Sequence, residues 1–244
     1  MRALIDQARR RLAREKFHPT RLGVIVHPFY IIRSRLARSI VGRAREIEGR
    51  VLDFGCGSQP YRADFAHIAD YVGVDVAVSG HPHANSKVDI YYDGRTLPFP
   101  DASFDAVISF EVFEHVFNLD EILDEIRRVL KLGGKLLFSI PFAWDEHEQP
   151  FDYARYTSFG IRALLERHGF DEIEIEKTST DVEAIGQLWI AYLHQHIGAR
   201  HRATRALVQL GLLAPLTTMT LILSHILPDR RHIYCNLLVS ARST

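Results

Sequence analysis

Short apolar runs alternate with longer amphipathic stretches along most of the chain, which is the pattern of alternating strands and helices. The runs that predict strands lie at residues 51–54, 71–76, 106–110, 135–141, 170–177 and 232–241. Caps and helical spacing predict helices over 1–16, 27–47, Asn118 to Lys131 (ended by Gly133–Gly134), Thr157 to near Gly169, and 181–197. The alternation predicts an α/β fold with a mostly parallel sheet and helices on both faces.

The segment VLDFGCGSQPYR, residues 51–62, joins a buried strand to a glycine turn that leads into a helix. Gly55 and Gly57 permit a close approach of ligand to backbone that a Cβ atom would block. A dinucleotide site needs glycine or alanine three positions after Gly57, where Pro60 stands instead. The Lys-Ser or Lys-Thr pair of a phosphate-binding loop does not follow either. The turn therefore predicts a nucleotide-type cofactor that is not held through phosphates.

Acidic residues accompany three of the predicted strands. Asp53 lies within the first strand, and Asp75 stands near the end of the second, where an acid can bind a ribose diol. Asp93 precedes the strand 106–110, which is followed by Glu111, Glu114 and His115. Because the carboxyl ends of parallel strands meet at one edge of a sheet, we expect these acids to converge there. Carboxylates rather than lysines suit a cationic ligand without phosphate.

The glycine loop with Asp53, the acid at Asp75, the LPF run at 97–99 and the EH pair at 114–115 together resemble the class I S-adenosylmethionine-dependent methyltransferases. The resemblance covers about residues 48–178. It implies a Rossmann-like, seven-stranded sheet with an antiparallel last strand, S-adenosylmethionine as the cofactor, and transfer of the sulfonium methyl group. Gln59 stands where a further glycine is common, which we interpret as a subfamily feature.

The same resemblance assigns the cofactor-binding residues. It implies that Asp53, Gly55 and Gly57 line the methionine part of the cofactor and that Asp75 takes the ribose hydroxyls. It further places the adenine beside Asp93 and Gly94, the sulfonium beside Phe110 and Glu111, and includes the adjacent Cys56 and Val76. For the Cys56 side chain we favour a small buried residue that fills the turn over a nucleophile.

The segment 141–157 follows the predicted strand 135–141 and is rich in side chains that bind or deprotonate ligands. Open α/β sheets bind ligands at this edge, and a similar run lies near the substrate in the family that the chain resembles. The predicted acceptor-binding residues are Asp152, Tyr153, Arg155 and Tyr156. The alternative is a structural loop in which Asp152 pairs with Arg155 and Tyr156 packs.

For a hydroxyl acceptor, His147 is the predicted general base and His115 the second candidate, although a packing role is favoured for His115. His81, His83, His115 and His147 are candidate metal ligands, but we predict no metal site, because His81 and His83 lie in a polar loop with no paired downstream site at a recognised spacing. Cys56 and Cys235 are the only cysteines and suggest no disulfide framework, which fits a reducing cytoplasm.

The charge is unevenly distributed, although the formal net charge is zero. We divide the chain into a basic N-terminal helical arm, residues 1–47, and a methyltransferase domain, residues 48–244. A basic arm can attract anionic lipid, nucleic acid or a phosphorylated substrate, but a solvated helical face is slightly favoured. No nucleic-acid partner is expected, because neither an aromatic-interleaved basic sheet nor zinc-ligand spacing is present.

Residues 181–229 form a predicted helical insertion before the last strand. Within it, 206–227 contains no Asp, Glu, Lys or Arg and reaches the length of a membrane span. Pro215 and the return of the chain to the sheet argue against spanning. Packing as a core or lid element is favoured, and contact with the cytoplasmic face of a membrane, aided by Arg205 and Arg230, is second.

Three classes of function remain open. The favoured one is a methyltransferase of a small-molecule or glycan acceptor, with a lipid-linked saccharide as one candidate. The first alternative is a methyltransferase of a quinone or another hydrophobic natural product. The second is a non-catalytic cofactor-binding scaffold, against which the presence of Asp53, Asp75 and Asp93 argues. The oligomeric state is left open.

Overall fold

The computed structural model describes residues 15–78, 86–197 and 202–244. Most of the predicted helix 1–16, and the histidines His81 and His83, lie outside the described residues. The described chain divides into two compact units. Unit 1 contains the residues up to Ser39 together with Lys177–Asn236, and unit 2 contains Ile40–Glu176 together with Leu237–Thr244.

Seven strands form one sheet in the order β3-β2-β1-β4-β5-β7-β6. The strands are β1 Val51–Phe54, β2 Tyr71–Val76, β3 Ile90–Tyr92, β4 Phe104–Phe110, β5 Leu130–Pro141, β6 Phe170–Lys177 and β7 Asn236–Ser243. The pairs β1–β2, β1–β4, β2–β3 and β4–β5 are parallel, and the last strand is antiparallel. This arrangement confirms the predicted Rossmann-like methyltransferase fold.

The described helices are α1 Gly23–Val26, α2 Tyr30–Ala44, α3 Leu119–Val129, α4 Ser158–Arg167, α5 Asp181–His196, α6 Arg202–Val208 and α7 Ala214–Ile226. Two short 3₁₀ turns, Arg62–Phe65 and Phe113–His115, follow β1 and β4. In unit 2, α3 buries Leu119, Ile122, Leu123, Ile126 and Val129, which is one face at helical spacing. Thr157 caps α4 by accepting a hydrogen bond from the Gly160 amide.

The structure differs from several predicted boundaries. Asn118 does not cap α3 with its side chain, which instead donates to Glu121 Oε2 at 2.9 Å and to the Gly94 carbonyl at 3.2 Å. The helix ends at Val129, and β5 already begins at Leu130. Gly133 and Gly134 lie within β5, because pairing with β4 shifts register between Leu130 and Lys135 and Gly133 takes a φ of 73° there.

Other strands and helices also depart from the hydrophobic pattern. β3 was not located in the sequence, because its three residues are largely exposed and form no apolar run. The last strand covers Asn236–Ser243 rather than 232–241, and β4 begins at Phe104. The predicted helix 27–47 is shorter at both ends, since α2 begins at Tyr30, two residues after Pro28, and ends at Ala44.

Unit 1 joins the N-terminal segment to the insertion that precedes β7. Its buried apolar core contains Ile31, Ile190 and Leu213. The buried side chain of Gln187 on α5 accepts a hydrogen bond from the Ile32 amide at 3.2 Å and donates to the Pro28 carbonyl at 3.0 Å. The described part of the basic arm therefore packs within the same unit as the insertion, whereas the boundary at residue 47 stays a prediction.

A nearly continuous helical stretch follows α5, with a π-helical segment, Gln209–Leu213, between α6 and α7. The stretch Thr204–Ile226 is long and apolar enough to cross a membrane by length and composition, and 22% of its apolar window is buried. A Cβ atom on Gly186 of α5 would lie 2.3 Å from Thr220 Cγ2, so glycine allows α5 and α7 to approach closely. The roles of lid or membrane contact stay predictions.

One buried ion pair in unit 1 offers a test of its stability. Glu183 is 2% exposed, completes a capping box with Thr180 at the start of α5, and accepts a hydrogen bond from Arg35 Nε at 2.9 Å. Replacing Glu183 by Ala leaves the half-buried Arg35 without this partner and removes the cap. We expect the free energy of unfolding to fall by about 2 kcal/mol, measured by urea denaturation followed by circular dichroism.

The matched control is Glu174→Ala, because Glu174 pairs with Arg43 at 2.6 Å but is 62% exposed. Solvent screens this pair, so its loss should cost less than about 0.5 kcal/mol. Equal effects of the two substitutions would show that burial of the Glu183 pair contributes nothing to stability.

Candidate cofactor and acceptor site

The site lies at the carboxyl edge of the sheet, where the strand order reverses. β1 pairs with β2 on one side and β4 on the other, so the chain leaves these central strands in opposite directions. Such a switch point leaves a crevice between the two loops that follow the strands. The loop after β1 begins at Gly55, and the loop after β4 begins at Glu111.

The two glycines of the first loop serve different purposes. Both have positive φ values, 69° at Gly55 and 48° at Gly57. A Cβ atom on Gly55 would lie 2.4 Å from Val112 Cγ1, so this glycine allows the two loops to pack together. Among the described residues, a Cβ atom on Gly57 would meet nothing within 4 Å. Gly57 therefore borders space that the described residues leave open, as expected where backbone approaches a ligand.

Asp53 is a buried carboxylate beneath this loop. It is 6% exposed, and Asp53 Oδ2 accepts a hydrogen bond of 2.6 Å from the hydroxyl of Tyr71. Burial raises the pKa of Asp53 from 3.8 to about 7; the Tyr71 hydrogen bond opposes the shift, and nearby Asp75 adds to it. A cationic ligand in the crevice would therefore favour the ionised form of Asp53.

Asp75, at the end of β2, is turned toward the same loop. Its Oδ2 accepts from the Gly57 amide at 2.9 Å, and its Oδ1 accepts from the Val76 amide at 2.7 Å. A carboxylate has about four acceptor sites, so these bonds leave capacity for a diol. Cys56 is buried beside Gly73, and burial raises the pKa of its thiol, which fits a packing role.

The predicted adenine-binding residues lie beyond β3. Asp93 Oδ1 accepts hydrogen bonds from the amides of Arg95 and Thr96 at 2.8 and 2.9 Å, and these bonds lower the pKa of this exposed carboxyl. Gly94 has a φ of 81°. Tyr92, just before Asp93, lies with its ring centroid 5.8 Å from that of Phe54 at the end of β1. These contacts join the Asp93 turn to the end of β1.

Phe110 and Glu111 occupy the end of β4. Phe110 contacts Tyr61 edge-on at 5.2 Å and stacks on Phe65 at 6.0 Å, so the end of β4 packs on a buried aromatic cluster. Glu111 has a φ of 57°, a conformation that is uncommon outside glycine and is often found at functional sites. Ser139 of β5 supports it by donating a 2.7 Å hydrogen bond to Glu111 Oε1.

Glu114 and His115 lie in the 3₁₀ turn just after β4. Glu114 is fully buried, and burial together with the charge of Glu111 raises the pKa of its carboxyl well above the ordinary value. The His115 ring nitrogen Nδ1 lies 2.9 Å from the Phe151 carbonyl. Burial lowers the pKa of His115, which favours the neutral ring.

The loop after β5 folds onto this turn. Tyr153 donates its amide to the Glu114 carbonyl at 2.8 Å. The rings of His147 and His115 lie 4.8 Å apart between centroids. Asp152 accepts from the His147 amide at 2.9 Å and from both terminal nitrogens of Arg155 at 2.5 and 2.6 Å. Although burial opposes it, the Arg155 hydrogen bonds hold the pKa of Asp152 at about 2.

The residues predicted to bind the acceptor therefore fall into two groups, those that lie beside Glu114 and those that do not. His147, Asp152 and Arg155 are joined beside Glu114, and the Asp152–Arg155 pair has the geometry of the structural alternative. The Tyr153 side chain is 45% exposed and its ring lies 5.3 Å from that of Phe117. Tyr156 is partly buried, which raises its pKa, and the charge of Asp120 adds to the shift. The roles assigned to these side chains stay predictions.

Sequence reasoning missed three supporting residues. Tyr71 opens β2 and was treated only as a strand residue, although its hydroxyl binds Asp53. Ser139 lies inside an apolar strand, where a buried serine is itself a signal of a polar neighbour. Glu148 Oε1 lies 3.6 Å from His115 Nε2, a contact across 33 positions that no local spacing reveals. Each of the three depends on a partner that is distant in sequence.

The known proteins that this chain resembles in sequence are methyltransferases. Residues 52–138 match a family described as a methyltransferase domain. A probable S-adenosylmethionine-dependent methyltransferase of Mycolicibacterium smegmatis is 33% identical over 162 residues, which cover 61% of this chain and 58% of that protein. An O-methyltransferase of Aspergillus nomiae is 29% identical over 57% of this chain and 72% of its own length. The match thus spans less than two thirds of the first relative.

A solved structure shows the shared fold. The S-adenosylmethionine-dependent methyltransferase from Mesorhizobium loti superposes with a TM-score of 0.53 and 19% identity, covering 87% of this chain and 99% of that one. At this level of identity, the likeness concerns the fold alone.

The raised pKa of Asp53 predicts a pH dependence of stability. Between pH 3.8 and about 7 the folded protein binds more protons than the unfolded chain, so the free energy of unfolding falls as the pH rises through this window. Asp53→Asn removes the titrating carboxyl group and therefore this decrease in the free energy of unfolding. We expect the stability of the variant relative to the wild type to increase by about 2 kcal/mol from pH 5 to pH 8, measured by urea denaturation at both pH values.

Asp93→Asn is the control, because the Asp93 carboxyl is exposed and its pKa is lowered. This variant should not gain stability over the wild type between pH 5 and pH 8. A flat pH response of the Asp53→Asn difference would contradict a raised pKa at Asp53.

Proposed function

We propose that the chain is a class I S-adenosylmethionine-dependent methyltransferase, which binds S-adenosylmethionine at the carboxyl edge of β1, β2 and β4 and methylates a small-molecule acceptor. The observation that carries the proposal is the arrangement of Asp75 and Gly57. The carboxylate lies near the end of β2 and accepts from the glycine amide, and no described residue fills the space next to Gly57. A carboxylate beside a glycine, which has no side chain to block the approach, suits the binding of a ribose diol.

The cofactor supplies an activated methyl group on a cationic sulfur, so the protein has to bind, orient and exclude water. Asp53 and Glu111 place carboxylates near the crevice, and Phe110 at the end of β4 provides an aromatic ring beside them. Negative charge and aromatic faces both attract a sulfonium. Displacement then forms a bond between the acceptor and the methyl carbon, breaks the carbon–sulfur bond and leaves its electron pair on sulfur.

We propose that the acceptor atom is a hydroxyl oxygen. The loop on the acceptor side presents His147, Asp152 and Arg155, which suit a polar substrate and proton removal. The Aspergillus nomiae relative is named an O-methyltransferase, which supports an oxygen acceptor. A saccharide, including a lipid-linked one, fits this polar lining better than a quinone does, because a quinone ring favours an apolar pocket. His147 is the candidate base in this proposal.

We also propose that unit 1 contacts the cytoplasmic face of a membrane, where a lipid-linked acceptor would be found. On α7, Met219, Ile222 and Ile226 recur at helical spacing and are 50%, 56% and 71% exposed. On α5, the exposed rings of Trp189 and Tyr192 stack 5.4 Å apart. Tryptophan and tyrosine are enriched at membrane interfaces, and the exposed Arg205 and Arg230 suit anionic headgroups.

Isothermal titration with S-adenosylmethionine tests the cofactor site. Asp75→Asn keeps an oxygen for the Gly57 amide but loses the charge and one acceptor, so we expect affinity to fall at least tenfold. Asp70→Asn is the control, because Asp70 precedes the opposite end of β2 and pairs with Arg50 on the surface. Absence of binding to the wild type would overturn the proposal.

A transfer assay with methyl-labelled cofactor then tests the acceptor class. Label should pass to hydroxyl-bearing saccharides in preference to quinols. Cofactor binding without transfer to any acceptor offered would support the scaffold alternative instead.

Sedimentation with vesicles tests membrane contact. The wild type should bind vesicles that contain anionic lipid, and replacing Met219 and Ile222 together by Glu should reduce the bound fraction severalfold. Phe159→Glu serves as the control, because Phe159 is 83% exposed on α4 of unit 2. If both variants bind as the wild type does, the α7 surface is not the contact.

A further inference from the structure

Glu114 presents an unusual problem of solvation. It is fully buried, and among the described residues neither of its carboxylate oxygens has a hydrogen-bond partner. An isolated buried carboxylate is costly unless it takes up a proton or meets a cation. The nearby guanidinium of Arg155 already donates hydrogen bonds to both carboxylate oxygens of Asp152. A proton or a cation that the described residues do not supply would therefore complete the surroundings of Glu114.

Two imidazoles face the same carboxylate. Glu114 Oε1 lies 3.7 Å from His115 Nε2 and 4.0 Å from His147 Nε2. One ligand atom from each of Glu114, His115 and His147 can be chosen so that all lie within 4.8 Å of one another. Ligand atoms around a tetrahedral ion with bonds of about 2.1 Å are ~3.4 Å apart, so closing the set around an ion requires the most distant atoms to approach by about 1.4 Å.

The other nitrogen of each ring is held by an oxygen that can only accept. His115 Nδ1 lies 2.9 Å from the Phe151 carbonyl, and His147 Nδ1 lies 3.2 Å from both the Asp145 carbonyl and Asp152 Oδ2. A proton on each Nδ1 fits these acceptors, and the tautomer assigned on that basis leaves a lone pair on both Nε2 atoms. Metal-binding histidines are usually oriented in this way, because one ring nitrogen donates to a carbonyl or carboxylate while the other binds the ion. His115 Nε2 is buried and has no hydrogen-bond partner among the described residues.

We propose that Glu114, His115 and His147 bind a divalent transition-metal ion, with Glu148 as a further ligand. Glu148 Oε1 lies 3.6 Å from His115 Nε2. Two imidazoles with carboxylate oxygen favour Zn²⁺, Fe²⁺ or Mn²⁺ over Mg²⁺, which prefers oxygen ligands and water. A set of three protein ligands is also typical of metal sites that keep a position open for substrate.

The consequence for catalysis rests on the proposed function. The ligands lie just after Glu111, at the edge of the sheet where the methyl group is expected, and an acceptor hydroxyl can take the open position. Coordination lowers the pKa of that hydroxyl, so its proton leaves to solvent and the oxygen lone pair attacks the methyl carbon. The carbon–sulfur bond breaks with its electrons passing to sulfur. His147 then acts as a metal ligand instead of the base.

Metal titration of the full-length protein, prepared without a polyhistidine tag and stripped with a chelator, tests the site. We expect one equivalent of Zn²⁺ to bind, Mg²⁺ not to compete, and Co²⁺ to give visible bands typical of nitrogen and oxygen ligands. Glu114→Gln and His147→Ala should each weaken Zn²⁺ binding at least tenfold. Glu114→Gln is nearly isosteric with the protonated acid, so it is expected to keep its circular dichroism spectrum.

His168→Ala is the matched control. His168 lies 2.7 Å from Asp124 and 2.9 Å from Asp120, an exposed histidine–carboxylate group that could hold an ion without a built site. If Zn²⁺ binding is lost in this variant, or persists unchanged in Glu114→Gln, the proposed site is wrong. Absence of stoichiometric binding to the wild type also overturns it and leaves Glu114 simply protonated.

Titration of S-adenosylmethionine into the stripped protein separates the two proposals. Unchanged cofactor affinity, with methyl transfer restored only by added metal, supports both. Metal binding without any binding of S-adenosylmethionine would contradict the proposed function while supporting the metal site.

Discussion

The close contact between Gly55 and Val112 is the constraint on which the site depends. The two central strands end side by side, and both chains must turn sharply at the edge of the sheet. Gly55 and Glu111 make these turns with positive φ values, and Val112 occupies the space that a Cβ atom on Gly55 would need. The cofactor loop after β1 and the acidic turn after β4 are therefore packed against each other.

Negative charge accumulates around this contact. Asp53 and Glu114 are buried carboxylates with raised pKa values, and Asp75 and Glu111 lie nearby, whereas Arg155 is taken up by Asp152. Buried like charges destabilise one another, and proteins reduce this cost by protonation or by binding cations. A sulfonium cofactor and a divalent metal ion would relieve the same excess of charge at two neighbouring positions. Binding and folding stability are thus linked through these carboxylates.

Unit 1 is organised by polar anchors within an apolar core. Gln187 binds backbone groups 155 and 159 positions earlier in the chain, and Glu183 pairs with Arg35 across 148 positions. A buried amide or carboxylate is costly unless its partner is in place, so these contacts select one packing of the N-terminal segment against α5. The basic character of the arm is therefore in part structural, because Arg35 satisfies a buried acid.

The sequence by itself determined the features that depend on local chemistry. Glycine spacing, apolar runs and acids at strand ends located β1, β2, β4 and the cofactor loop, because backbone freedom and burial on both faces leave a local pattern. Tertiary structure decided the rest. The pairing of β4 with β5 shifted register and drew Gly133 into a strand. The folded chain also placed His147 beside Glu114. The energy of such contacts depends on partners that are distant in sequence, so only the tertiary structure brings them together.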